Sequence, residues 1–211
     1  MGEKINRLRR EQLIEATIST IAQRGFSRTT VAHVAQKAKL SQGVVNFYFK
    51  TKEGLLFETL RYLSNQYNMA WENALQHVGG DPVAGLEAIV ELDLSAGICD
   101  RRKVSVWLAF WAESPGRPKF RSFCREIQRA DFEQTSDMCR QIVERGAYHD
   151  VEPDDVARNL NAMVLGYWLD IHMNEKNFDR NKAKQACRQY LARMFPDDFG
   201  ISHHEQLSRS A

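Results

Sequence analysis

The chain has 211 residues, 43% of them hydrophobic and 27% charged, with a net charge of +2. That balance supports a sizeable core and excludes a disordered or fibrous protein. No run of eighteen apolar residues is present, which excludes a membrane-spanning helix. The segment Met1–Glu15, interrupted by Lys4, Arg7, Arg9, Arg10 and Glu11, does not read as a secretory leader, so the chain is expected in the cytoplasm.

The charge is unevenly divided. Residues 1–60 hold ten Lys/Arg against five Asp/Glu, a net of +5, and the remainder is net −3. A basic N-terminal module points to an anionic partner. Cys99, Cys124, Cys139 and Cys187 are widely spread with no Cys-x-x-Cys pair, a spacing that fits buried free thiols rather than a disulfide framework or a zinc cluster.

Taken in chain order, nearly every segment has helical periodicity. Leu8, Leu13, Ile14, Ile18, Ile21 and Ala22 lie on one face of a first helix over 7–23, and Arg24-Gly25 supplies its stop. Thr29 or Thr30 caps a second helix through Val31, Val34, Ala35 and Ala38. Lys39-Leu40 turns the chain, and Ser41 caps a short third helix over 42–47. Phe47 and Phe49 are expected in the core. Thr51 begins a long fourth helix to about 78, ended by Gly79-Gly80. Asp81-Pro82 opens a fifth helix to about 98. Further helices are predicted over 102–112, 119–145, 153–175 and 180–194, bounded by Ser114–Pro118, Gly146, Pro153 and Pro196. Residues 197–211 lack periodicity and are expected to fray. The predicted fold is all-α with about nine helices: a three-helix helix-turn-helix domain over 1–56, a helical ligand-binding and dimerisation domain over 57–196, and a flexible tail.

The third helix carries the chemistry. Ser41, Gln42, Gly43 and Asn46 give its start a small polar face, and Gln and Asn can bridge an adenine edge in the major groove. Gly43 permits close backbone approach. Tyr48 offers a phenol and Lys52 a charge near a helix N-terminus, both suited to phosphate. His33, Lys50 and the run Lys4, Arg7, Arg9, Arg10 fit either backbone contacts or ordinary solvated charge. The run Leu40–Leu56, with Tyr48-Phe49, Lys52 and Leu55-Leu56 at its end, resembles the recognition-helix signature of the TetR family of transcriptional regulators. Gly25-Phe26 and the segment 30–35 extend the resemblance. It implies that Gln42, Gly43, Val44 and Asn46 face bases, and that Thr30, Ser41, Tyr48 and Lys52 face phosphates of double-stranded operator DNA. It further implies a homodimer and a small-molecule inducer bound beyond the DNA module.

All four tryptophans lie in that second part. Trp107, Phe110 and Trp111 share a helical face, and Trp71 and Trp168 join them as candidate pocket residues; an aromatic stripe also suits a core. Residues 107–112, Gly166-Tyr167-Trp168-Leu169 and residues 9–17 are similar to the BetI-type, choline-responsive repressors, which implies choline or another cationic osmolyte precursor held by aromatic faces. Glu113 and Asp170 depart from the small or basic residues expected there. Helices apolar on two sides place Leu160, Val164, Tyr167, Ile171, Tyr190, Leu191 and Met194 at a four-helix dimer seam. No cofactor or metal site is expected: His203-His204 is a weak motif, and Gly-x-Ser-x-Gly, His-Glu-x-x-His and the phosphate-loop pattern are missing. The competing readings are an enzyme and a helical adaptor without operator binding.

Overall fold

The computed structural model describes residues 2–146 and 148–200, and all regular structure among them is helical. Ten α-helices follow in order: α1 (Gly2–Arg24), α2 (Val31–Ala38), α3 (Gln42–Phe49), α4 (Lys52–Gln76), α5 (Pro82–Asp93), α6 (Arg101–Glu113), α7 (Pro118–Arg145), α8 (Pro153–Asn174), α9 (Arg180–Met194) and α10 (Pro196–Phe199). The chain forms two compact units, one of Met1–Asn68 with Asp100–Arg125, the other of Met69–Cys99 with Glu126–Ala211. This division does not follow the expected boundary after residue 56. The first unit takes the beginnings of α4 and α7 and all of α6, because their apolar faces complete its core.

In the first unit, Leu13, Ile18 and Ile21 of α1 are buried with Val34 of α2, Val45 of α3 and Leu55, Leu56 and Leu60 of α4. Below them sits an aromatic cluster. Phe26 meets Phe110 edge-on at 5.3 Å, Phe110 meets Phe120 at 5.5 Å, and Phe57 stacks on Phe120 at 6.0 Å. The Arg117 guanidinium lies over the Phe26 and Phe120 rings. Arg10 of α1 pairs with Glu58 of α4 at 2.7 Å. The first helix begins five residues before its predicted start; Lys4, Ile5 and Asn6 there are exposed and so left no periodic trace.

In the second unit, Asp81 caps α5 by accepting the Ala84 N–H at 2.9 Å. This helix ends at Asp93, short of the predicted 98, because Arg180 of α9 takes hold of the chain beyond it. Its guanidinium donates to the carbonyls of Leu94 at 3.1 Å and Cys99 at 2.9 Å and to Cys99 Sγ at 2.8 Å. Glu91 accepts from Lys184 at 2.6 Å and from Arg188. Burial works against its charge, but these two cations outweigh it and hold the carboxyl below the usual range.

The four residues of α10 correct the expectation of a tail beginning at 197. Phe199 is buried, and Asp198 accepts from Tyr148 at 2.7 Å and Arg145 at 3.3 Å. The remainder of the expected tail, with His203 and His204, lies outside the described residues. All four cysteines are buried thiols. No helix among the described residues is long and apolar enough to cross a membrane.

Candidate nucleic-acid interface and ligand site

Two backbone turns set α3. Lys39 closes α2 in the left-handed conformation at φ 56°, and the Leu40 N–H returns to the Ala35 carbonyl at 2.9 Å. Ser41 then opens α3, its hydroxyl accepting the Val44 N–H at 3.4 Å. At the far end Lys50 has φ 59°, and its N–H returns to the Asn46 carbonyl at 3.0 Å. Lysines therefore occupy both positive-φ positions that bracket the helix. Between them α3 buries only Val45 and Phe49, leaving Gln42, Gly43, Asn46 and Phe47 exposed and Val44 half-buried. Phe49 meets its expectation as core. Phe47 does not: it is 67% exposed, because it lies one turn (i, i+4) beyond the exposed Gly43 on the outer face.

Gly43 has no internal necessity. A Cβ there would meet only Ser41 Oγ at 3.6 Å, an ordinary contact. Glycine inside a helix costs about 1 kcal/mol relative to alanine, and nothing in the protomer's own packing at Gly43 offsets that cost. Gly54 is the opposite case. A Cβ on it would stand 2.6 Å from the Phe49 carbonyl oxygen, so the junction of α3 with α4 excludes any larger residue.

The candidate phosphate residues ring this face. Thr30 and Ser41 use one lone pair each to cap α2 and α3 and keep their hydroxyl protons for an external acceptor. Tyr48 donates to Asn6 Oδ1 at 3.0 Å, which ties the start of α1 to α3. Lys52, the first residue of α4, reaches the Ser27 carbonyl at 3.5 Å. His33 Nδ1 lies 3.1 Å from the Arg28 carbonyl. From Ala16 to Lys52 the sequence has no acidic residue, so no carboxylate on α2 or α3 repels an anion.

The aromatic candidates fall into two groups. Trp107, Phe110 and Trp111 belong to the first unit, where Phe110 is fully buried between Phe26 and Phe120; its ring is committed to that core. Trp107 is buried beside the part-exposed Trp111, with ring centroids 6.0 Å apart. Trp71 and Trp168 belong to the second unit and converge on one residue that sequence reasoning missed. Trp71 Nε1 donates to Asp93 Oδ1 at 3.3 Å, and Trp168 Nε1 donates to the Asp93 carbonyl at 2.9 Å. Asp93 is itself buried. Burial, and then the charge of Asp93, push the carboxyl of half-buried Asp131 up to about 7. The signal was present in the sequence: Asp93 stands where the Leu86, Ile89, Val90 stripe of α5 calls for an apolar side chain. A buried carboxyl held by two indoles, with a second, half-buried carboxyl near enough to feel its charge, suits an organic cation, which gains from both charge and ring faces. The acids singled out from sequence serve elsewhere. Glu113 accepts from Ser27 at 3.1 Å and Arg117 at 3.5 Å, and the exposed Asp170 accepts from Asn174 at 3.1 Å.

The proposed seam residues also divide. Leu160, Ile171 and Leu191 are sealed inside the second unit and Val164 is buried, so these four cannot form an outer surface; Tyr167, Tyr190 and Met194 are half-buried. The apolar surface that α8 does expose is Leu165 at 42%, Leu169 at 50% and Met173 at 69%, one stripe beside Ala162 and Gly166. Among the described residues no group of three or more His, Cys, Asp or Glu side chains is placed to hold a metal.

Residues 13–59 match the bacterial regulatory proteins of the TetR family, and residues 82–196 match the BetI-type transcriptional repressor C-terminal family. An HTH-type transcriptional regulator BetI of Paraburkholderia xenovorans is 32% identical over 87% of this chain and 92% of its own length. A transcriptional regulator from Pseudomonas aeruginosa PAO1 shares the fold with a TM-score of 0.79 at 23% identity, over 92% of this chain and 93% of that one. A regulator from Saccharomonospora viridis, solved in complex with choline, does so with a TM-score of 0.74 at 23% identity, over 86% and 94%. These relatives are transcriptional regulators rather than enzymes. The polar outer face of α3 thus stands where the TetR-type domain matches, the Trp71–Asp93–Trp168 cluster reaches into the BetI-type region, and the chain belongs to the TetR family of transcriptional regulators with a BetI-type C-terminal domain.

Proposed function

We propose that this regulator is a cytoplasmic homodimeric repressor that holds a palindromic operator through α3 and is released by a small organic cation, choline or a close relative. The single observation that carries the DNA half is the division of α3, with Val45 and Phe49 inward and Gln42, Gly43 and Asn46 outward between two lysines. Gln42, Gly43, Val44 and Asn46 meet base edges, while Thr30, Ser41, Tyr48 and Lys52 hold phosphates. A dimer sets two such helices in successive major grooves, about 34–36 Å apart. The stripe of Leu165, Leu169 and Met173 supports a dimer contact along α8.

The ligand half rests on Asp93 and Asp131 beside Trp71 and Trp168. Trp107 and Trp111 remain candidates for a part in the response, whereas Phe110 serves the core. A cation entering the cluster neutralises the paired carboxyls, and the resulting shift of α4, which carries Trp71 and continues from the DNA-reading module, changes the spacing of the two reading heads. Linkage then requires operator and inducer to weaken one another by the same factor. Titration of choline into the free protein and into its operator complex tests this. Unequal affinities with the complex weaker are expected, and equal affinities remove the mechanism.

A further inference from the structure

The exposed phenyl ring of Phe47 is unexplained by the protomer's own packing. It lies in one row with Gly43, Asn46 and Lys50 on the outer face of α3. It is also held rather than loose. Tyr48 stands against it edge-on, with centroids 5.2 Å apart and planes at 89°, and Tyr48 is anchored through Asn6. On the other side Lys50 Nζ lies 5.5 Å from the ring centre. Phe47 borders a shallow depression of about 480 Å³ whose other apolar walls are Ile5, Leu40 and Val44. The rest of its rim is neutral or basic.

We infer that Phe47 is a sequence-determining residue that receives the 5-methyl group of a thymine in the major groove. The inference deepens the operator-binding reading and rests on it. A phenyl ring cannot hydrogen-bond to base edges, and the thymine methyl is the apolar group the major groove displays. The neighbours on the same face select the same kind of base pair, since Gln42 and Asn46 are matched to the adenine edge of A·T. Lys39 and Lys50, and the absence of acid from Ala16 to Lys52, fit a polyanion as the occupant of this patch rather than an apolar protein surface. Phe47 thus reads the thymine of an A·T pair whose purine, or whose neighbour, Asn46 or Gln42 reads.

The test uses the full chain and an operator selected from randomised duplexes. Each dT of one half-site is replaced in turn by deoxyuridine, which removes the methyl and leaves base pairing intact. At one position the replacement lowers wild-type affinity about fourfold, the worth of one buried methyl-sized group. Phe47→Ala loses at least as much on the unmodified operator and no longer distinguishes dT from deoxyuridine at that position, while Phe47→Leu retains part of the discrimination. Because the ring is exposed, both variants keep the wild-type melting temperature. Persistence of the dT preference in Phe47→Ala overturns the assignment, as does a wild-type protein indifferent to deoxyuridine everywhere. A wild-type protein that selects no duplex at all overturns the operator reading itself, and is told apart from the other outcomes because no binding site is then recovered.

Discussion

Tyr48 and Lys52 differ from Gln42 and Asn46 in what they can distinguish. A phenol and an ammonium directed at phosphate meet the same group on every sequence, whereas a side-chain amide meets a pattern that changes with the base. Tyr48→Ala and Lys52→Ala are therefore expected to weaken binding to all duplexes about equally, and loss of the Lys52 charge lowers the slope of log affinity against log salt by about one. Gln42→Ala and Asn46→Ala are expected to change the selected sequence instead. Asp131 offers a second measurable property. Its carboxyl is raised from the ordinary 3.8 to about 7, so between these values the folded chain holds a proton that the unfolded chain has lost, and stability falls as pH rises through that window. Asp131→Asn removes this dependence and is expected to flatten the melting temperature from pH 4 to 7. A cationic ligand seated there favours the ionised carboxyl, so its affinity rises as pH approaches and passes 7, with proton release visible by calorimetry in buffers of different ionisation enthalpy.

At the scale of helices, the apolar periods and end signals carried most of the fold. Thr30, Ser41 and Asp81 cap the helices they were expected to cap, and Gly25 and Gly146 fall just beyond helix ends. Periodicity was silent where its contrast vanished. Residues 4–9 of α1 are all exposed, and α8 is apolar on two sides, so the sequence could not say which side the protomer itself covers. Phe47 was mistaken for core because an aromatic residue beside Tyr48 and Phe49 reads as packing, and only the phase of α3 separates them. Asp93 escaped notice since a carboxylate on an apolar helix face looks like a boundary. Lys39 supplies a test at this level. A side chain with a Cβ in the left-handed conformation costs about 1–2 kcal/mol that glycine avoids. Lys39→Gly is expected to stabilise the chain by about 1 kcal/mol in denaturant titration while weakening operator binding, since it also removes a cation from the edge of α3.

For the molecule as a whole, the proposed function depends on pairing, and α8 exposes apolar surface suited to it. Leu165, Leu169 and Met173 lie at i, i+4 and i+8, the stripe of a helix that packs against another. Leu169→Glu places a charge in the middle of that stripe and is expected to give monomers in sedimentation equilibrium with little change in helical content. Operator affinity then falls steeply, because each head alone keeps only half of the contacts. An unchanged dimer would move the seam to another surface.

The tight junction at Gly54 has a mechanical corollary. With the Phe49 carbonyl 2.6 Å from where a side chain would begin, α3 and α4 meet without slack. The 25 residues of α4 span about 37 Å, so a tilt of only about 3° displaces one end by about 2 Å relative to the other, close to half the rise between neighbouring base pairs. On the proposed reading, a stiff elbow at the start of α4 passes such a tilt on to α3 undiminished. Loosening the elbow, rather than damaging either the reading face or the ligand cluster, would leave a protein that still grips DNA and still takes up its ligand but no longer lets the one answer the other.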